Sequence, residues 1–231
     1  MKAPNIKLLV KYLLGKDLYL SPKTSVDTEY HGTRYGGWAT PKNGVTAESV
    51  VYSFGIGEDA SWDLGLIGAK GCTIHGFDPT PKSLQWVEKH IKEQKFLMHP
   101  QALADFDGTL DLWLPAIPDH VSASLRQSSG TSHEKITVPC EKLSSIMRRL
   151  GHERVDILKM DIEGAEYAVL RNICAEEGLL ARIGVLLVEF HHWMPAFGNN
   201  DTREALRLLS DKGFVPGWVS ESGHELLFAR K

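Results

Sequence analysis

Val50-Val51-Tyr52-Ser53-Phe54-Gly55-Ile56-Gly57-Glu58-Asp59 is the stretch that decides the fold. Its first five residues are a short apolar run, rich in β-branched and aromatic side chains and ended by glycine. That pattern is a buried strand. Residues 59–68 then read as a helix. The unit is strand, glycine loop, helix, and it sets the rhythm of the remaining chain. Thr73–Phe77 reads as a second strand and 81–94 as a second helix, with a third strand at 95–99. Residues 110–114 and 135–140 look extended and flank a polar Ser/Gly loop at 122–132. Leu143–Leu150 reads as a helix, Val155–Met160 as a strand and 163–173 as the helix after it. Residues 183–190 are the most hydrophobic strand, 202–212 a helix, and Phe214–Val219 with 225–229 a closing hairpin. Strands alternating with helices predict an α/β fold, a doubly wound and mainly parallel sheet covered on both faces. Its crossovers are expected to be right-handed.

In such a sheet the ligand lies beyond the C-terminal strand ends, at the point where the strand order reverses. The first strand then aims its loop at that ligand. Gly55 and Gly57 lack a Cβ and let the backbone turn sharply and come close. Asp78 ends the second strand, where a carboxylate can accept the hydroxyls of a ribose. These residues alone leave the cofactor open, since Gly55-x-Gly57-x-x-Ala60 with a later acid also fits a dinucleotide fingerprint. Charge weighs against NAD. A pyrophosphate would sit on the helix N-terminus, where Glu58 and Asp59 would repel it. The ammonium and sulfonium of S-adenosylmethionine suit acids. Those two acids also have a structural reading, complementing the helix dipole at about 0.3–1 kcal/mol each.

The string Val155-Asp156-Ile157-Leu158-Lys159-Met160-Asp161-Ile162-Glu163-Gly164-Ala165-Glu166 resembles the signature of the FkbM-type methyltransferases. The 53–59 loop and Phe77-Asp78-Pro79-Thr80-Pro81 resemble the methyltransferase-like branch of that superfamily. The resemblance covers roughly residues 30–230. It implies a seven-stranded class I, Rossmann-like sheet with an antiparallel C-terminal hairpin. It also implies S-adenosylmethionine and O-methylation of a hydroxyl on a small molecule or glycan. Phe54, Gly55, Gly57, Glu58, Asp78 and Pro79 are the expected cofactor contacts, joined by Gln101 and Ala102 after the third strand.

Methyl transfer asks the protein to align donor and acceptor and to remove the acceptor proton. Asp161 ends the fourth strand and His191 follows the fifth, so both are candidate catalytic groups. A divalent metal held by Asp161, Glu189 and His191 is an alternative way to activate the acceptor. Glu163 and Glu166 read first as dipole-complementing acids in the opening turn of a helix. Lys159 lies in an apolar strand and is expected to find a carboxylate. Trp38, beside Gly36 and Gly37, is either a core residue or a lid.

The remaining composition narrows the classes. A net charge of −3 offers no bulk attraction to nucleic acid. The three cysteines, Cys72, Cys140 and Cys174, are widely spaced and include no CxxC pair, which suits buried thiols in a reducing, cytoplasmic setting. The apolar runs between Lys2 and Lys16 are too short to span a membrane. Residues 1–47 are expected to be a helical and Gly-rich extension before a cofactor domain at 48–231. Two further functions stay in view, a nicotinamide-dependent oxidoreductase and a non-catalytic module that keeps the fold.

Overall fold

The computed structural model describes residues 6–115 and 131–231. In chain order it begins with α1 (Ile6–Leu13), β1 (Thr28–His31) and β2 (Trp38–Pro41). The alternating part opens with β3 (Val50–Phe54), α2 (Ser61–Lys70), β4 (Thr73–Phe77), α3 (Pro81–His90) and β5 (Phe96–His99). Then come β6 (Ala102–Leu103), β7 (Gly108–Pro115), β8 (Thr131–Glu141), α4 (Leu143–Leu150), β9 (Val155–Met160) and α5 (Glu166–Ala175). The chain closes with β10 (Ile183–Glu189), α6 (Asn199–Asp211), β11 (Phe214–Val219) and β12 (Glu225–Arg230).

Seven strands form the main sheet in the order β11-β12-β10-β9-β3-β4-β5. Strands β3, β4, β5, β9 and β10 run parallel. β12 runs antiparallel to both of its neighbours, so the last strand of the chain lies inside the sheet and β11 forms the edge. The chain winds outward from β3 to β5, then crosses back to β9 and winds the other way. The reversal falls between β3 and β9, and the loops after these two strands diverge there to leave a cleft.

Side chains alternate across the sheet and divide the core in two. On one face Tyr52, Phe54, Leu158, Met160, Leu186 and Val188 pack against α4, α5 and α6. On the other, Val51, Ile157, Leu187 and Leu227 pack against Trp62 and Leu66 of α2 and Val87 of α3. Trp38 joins this second cluster, so the hairpin of β1 and β2 is built into the core, and Trp38 to Pro41 are all buried. Trp62 Nε1 donates to Thr40 Oγ1 at 3.0 Å across the same contact. The cysteines are all buried free thiols.

Beyond β5 a small sheet forms, in the order β6-β8-β7. The expected extended segments at 110–114 and 135–140 are its antiparallel pair; β6 was not foreseen. The polar loop expected at 122–132 falls almost wholly outside the described residues. Two helices start later than the sequence suggests. α2 begins at Ser61 because Asp59 Oδ1 takes the Ser61 N–H at 2.7 Å. α5 begins at Glu166 because Glu163 and Gly164 adopt left-handed φ values of 52° and 100°. Glu163 is therefore not in the helix's first turn, and its expected dipole role does not hold. Among the described residues, no helix is long and apolar enough to cross a membrane.

Candidate active site

The diverging loops enclose a cavity of about 720 Å³. Its lining includes Phe54, Gly55, Gly57 and Glu58 from the first loop, Asp78 and Pro79 after β4, and Gln101 and Ala102 after β5. It also includes Asp161, Glu189 and His191. Residues picked from distant places in the sequence thus share one cleft.

Gly55 is required by its surroundings. Its φ is +81°, and a Cβ there would stand 1.7 Å from the carbonyl oxygen of Asp161. The loop crosses between two strand ends, tied by Gly55 N–H to Phe77 O at 3.0 Å and by Asp161 N–H to Phe54 O at 3.1 Å. Asp78 is 7% exposed. Its Oδ2 accepts the Gly57 N–H at 3.0 Å, and its Oδ1 accepts the Thr80 N–H and hydroxyl at 2.9 and 2.7 Å. These bonds fix the carboxylate at the cavity wall with lone pairs still available. Gln101 differs: its amide is committed to Glu141 and Arg149, which leaves its backbone, with Ala102, to form the wall. Glu58 is paired with Lys82 at 3.3 Å.

The N-terminal segment closes one side. Thr33 Oγ1 donates to Asp59 Oδ2 at 2.9 Å, and the Thr33 N–H donates to Ser61 Oγ at 2.9 Å. Gly36 lies so near that a Cβ would stand 2.6 Å from Cγ of Asp59. Burial would raise the Asp59 carboxyl, but hydrogen bonds from Ser61 and Thr33 outweigh it and hold it low. The N-terminus of α2 is therefore covered by the chain itself. A dinucleotide's pyrophosphate would need that position, so the obstacle to NAD is steric as well as electrostatic.

Lys159 lines the cavity floor and is 5% exposed. Among the described residues no carboxylate lies within ion-pair distance of it; Asp63 and Asp59 act on it at longer range, and two aromatic faces flank it. Its Nζ lies 5.4 Å from the Trp38 ring centroid and 5.9 Å from that of Trp62, within cation–π range. Asp63 is a buried acid on this same face; burial pushes its carboxyl up to about 6 against the pull of Lys159. Trp38 is at once core residue and cavity wall.

At the opposite end, His191 is 1% exposed and held by Glu166. Glu166 Oε1 accepts the His191 backbone N–H at 2.9 Å and faces Nδ1 at 3.2 Å, while its Oε2 accepts the Gly164 N–H at 2.8 Å. The ring's Nε2 faces Asp161 Oδ1 and Glu163 Oε2, each at 3.6 Å, and Glu189 Oε1 at 3.9 Å. Burial would lower the imidazole, but Glu166, Glu163 and Asp161 outweigh it and hold it up at about 10. Burial, with the Asp161 charge, pushes Glu189 up to about 9. Held so, the ring favours its protonated form, and Asp161, Glu163 and Glu189 are the carboxyl groups that face it. Glu166 is the residue that sequence reasoning missed. An acid opening a helix looks like dipole complementation, and only the fold shows it fully buried.

A reversed parallel sheet, a glycine loop and a buried acid at the second strand end define a nucleoside-binding α/β domain. Residues 50–216 match the methyltransferase FkbM domain. The chain belongs to the FkbM methyltransferase family. It is similar to the probable methyltransferase-like protein 24 of Homo sapiens, 33% identical over 148 residues, 64% of this chain and 34% of that protein. It is also similar to methyltransferase sdnD of Sordaria araneosa, 38% identical over 172 residues, 61% of this chain and 64% of that protein. The match thus spans about a third of the human relative's length. Among solved structures it resembles Aeropyrum pernix fibrillarin with bound S-adenosyl-L-methionine, at a TM-score of 0.43, 13% identity, and coverage of 80% of this chain and 66% of that one.

Proposed function

We propose that this protein transfers a methyl group from S-adenosylmethionine to a hydroxyl of a small molecule or sugar. The observation that carries the reading is the single cleft that joins the Gly55–Gly57 loop and Asp78 to the Asp161–His191 end. The residues fit the cofactor. Gly55 lets the loop turn hard against the Asp161 carbonyl, where a Cβ would clash, Gly57 continues the turn along the cleft wall, and Asp78 is a fixed carboxylate for the ribose. Phe54, Pro79 and the backbone of Gln101 and Ala102 provide the remaining wall. When bound, S-adenosylmethionine supplies an electrophilic methyl group. The protein's own part is to align the acceptor and take its proton.

Asp161 is the residue proposed to take that proton, and His191 the cation that positions it. Tyr35 and Trp193 line the cavity yet stay 84% and 55% exposed. Two planar faces at a mouth suit a sugar or aromatic acceptor. In this reading residues 48–231 carry the cofactor, and residues 1–47 form a wall through Thr33, Gly36 and Trp38.

Calorimetric titration with S-adenosylhomocysteine, the demethylated cofactor, tests the reading. Binding is expected, with NAD far weaker; no binding at millimolar concentration, or tighter binding of NAD, overturns it. Asp78→Asn swaps an acceptor for a donor facing Gly57 or Thr80. It should weaken the affinity at least about tenfold while the far-ultraviolet circular dichroism stays unchanged.

A further inference from the structure

His191 has one nitrogen engaged and one aimed into the cleft. Its Nδ1 meets Glu166. Around its Nε2, Asp161 Oδ1, Glu163 Oε2 and Glu189 Oε1 stand at 3.6, 3.6 and 3.9 Å. The side chain is only 2% exposed, so a nitrogen of an almost enclosed ring faces a group of acids at ion-pair rather than hydrogen-bond distance. One donor atom each from Asp161, Glu163 and His191 lie within 4.8 Å of one another. Separations of this size are too long for hydrogen bonds. They match donors spread around one ion bonded at about 2.0–2.3 Å.

We propose that Asp161, Glu163 and His191 form a divalent-cation site, with Glu166 as its outer carboxylate. Two carboxylate oxygens and one imidazole nitrogen suit a first-row divalent ion such as Mn²⁺. Glu166 holds Nδ1, which orients the ring and directs Nε2 at the ion, the usual arrangement behind a metal-bound histidine; the ion takes the place of the Nε2 proton that the ring carries in its absence, and that proton is released to solvent. Glu189, the acid that the strand ends suggested as third ligand, lies farther from Nε2 than Glu163 and stands at the rim. Glu163 reaches the cluster because the backbone turns left-handed before α5. Asp161 faces the ring through Oδ1, which leaves Oδ2 for the acceptor. Ion binding stands apart from the methyl-transfer reading; its use, to hold an acceptor oxygen in the cleft, rests on that reading.

The test is Mn²⁺ binding to the full chain at pH 7.5, followed by the loss of the free-ion paramagnetic signal and by calorimetry. One ion per chain is expected. Glu163→Gln preserves volume at a side chain 22% exposed, so it leaves the core intact; it should weaken binding at least about tenfold. Glu166→Gln touches no ion and should still cost about 10–100-fold. Absence of binding by the wild type at about 1 mM Mn²⁺, or equal binding by wild type and Glu163→Gln, overturns the site. S-adenosylhomocysteine titrated in parallel separates the two failures. Cofactor binding without metal sinks only the ion site; metal binding without cofactor sinks the methyl-transfer reading and leaves the ion site standing.

Discussion

Gly55 shows how one residue ties fold to site. A side chain there meets backbone rather than a movable group, since the Asp161 carbonyl stands 1.7 Å from the Cβ position. Strands β3 and β9 would have to part, and the bonds that tie the loop, Asp161 N–H to Phe54 O and Gly55 N–H to Phe77 O, would be strained. The φ of +81° adds about 1–2 kcal/mol for any L side chain. Gly55→Ala should therefore destabilise by more than about 3 kcal/mol and lower the melting temperature by about 10 °C. Cofactor affinity should fall at least a hundredfold. A thermal melt beside a titration checks both; a melting temperature within about 2 °C of wild type would show that the strand ends yield more easily than close packing allows. The need for glycine here was legible in the sequence, because a glycine after an apolar strand signals a sharp turn. The neighbour that enforces it was not, because Asp161 lies far along the chain.

At the scale of elements, β3, β4 and β5 carry an aromatic stack beside the cleft. Phe54 stacks on Phe77 at 4.3 Å and Phe77 on His99 at 4.6 Å, while His75 stacks on His99 at 5.2 Å. His75 Nδ1 shares a proton with His99 Nε2 at 3.0 Å, and His152 Nδ1 pairs with the Tyr52 hydroxyl at 2.7 Å. Burial, followed by the neighbouring His152 and His99, pushes His75 down to about 4. The folded protein thus keeps this ring neutral, whereas the unfolded chain binds a proton near pH 6.5. Stability from this group is full above pH 6.5 and is lost as pH falls towards 4. Discounted for partial exposure, the loss is about 2 kcal/mol. His75→Phe should flatten the fall in urea-unfolding free energy between about pH 7 and 4.5 by that amount. Parallel curves for variant and wild type would place the acid sensitivity elsewhere. Strands such as Thr73–Phe77 and Val155–Met160 were legible because apolar runs end abruptly on acids or glycine. The roles of Lys159 and Glu166 were not. Their partners, Trp38 and Trp62 for one and His191 for the other, come from different elements, and local pattern carries no record of them.

The whole molecule is tied together across almost its full length by Asp17. Only 3% exposed, it bonds His192 Nε2 through Oδ1 at 2.8 Å and faces His224 Nε2 through Oδ2 at 3.4 Å. His192 is anchored in turn by Thr202 Oγ1 at 3.1 Å. Neighbouring histidines therefore face opposite ways: His191 turns into the cleft and His192 onto the N-terminal segment. Asp17→Ala would leave His192 Nε2 buried without an acceptor, at a cost of about 2–4 kcal/mol. Asp17→Asn keeps an oxygen for that bond and should cost about 1 kcal/mol. The N-terminal residues before β1 should then be cleaved at least about tenfold faster by protease in the alanine variant, through local opening rather than global unfolding. The cleft should be spared, because Glu166 grips both the backbone and the ring of His191 independently of Asp17. Cofactor affinity is thus expected to change less than about threefold, read by the same titration. A large loss of affinity in Asp17→Ala, with Asp17→Asn unaffected, would instead mean that the two histidines move as one body and that the N-terminal segment sets the geometry of the site.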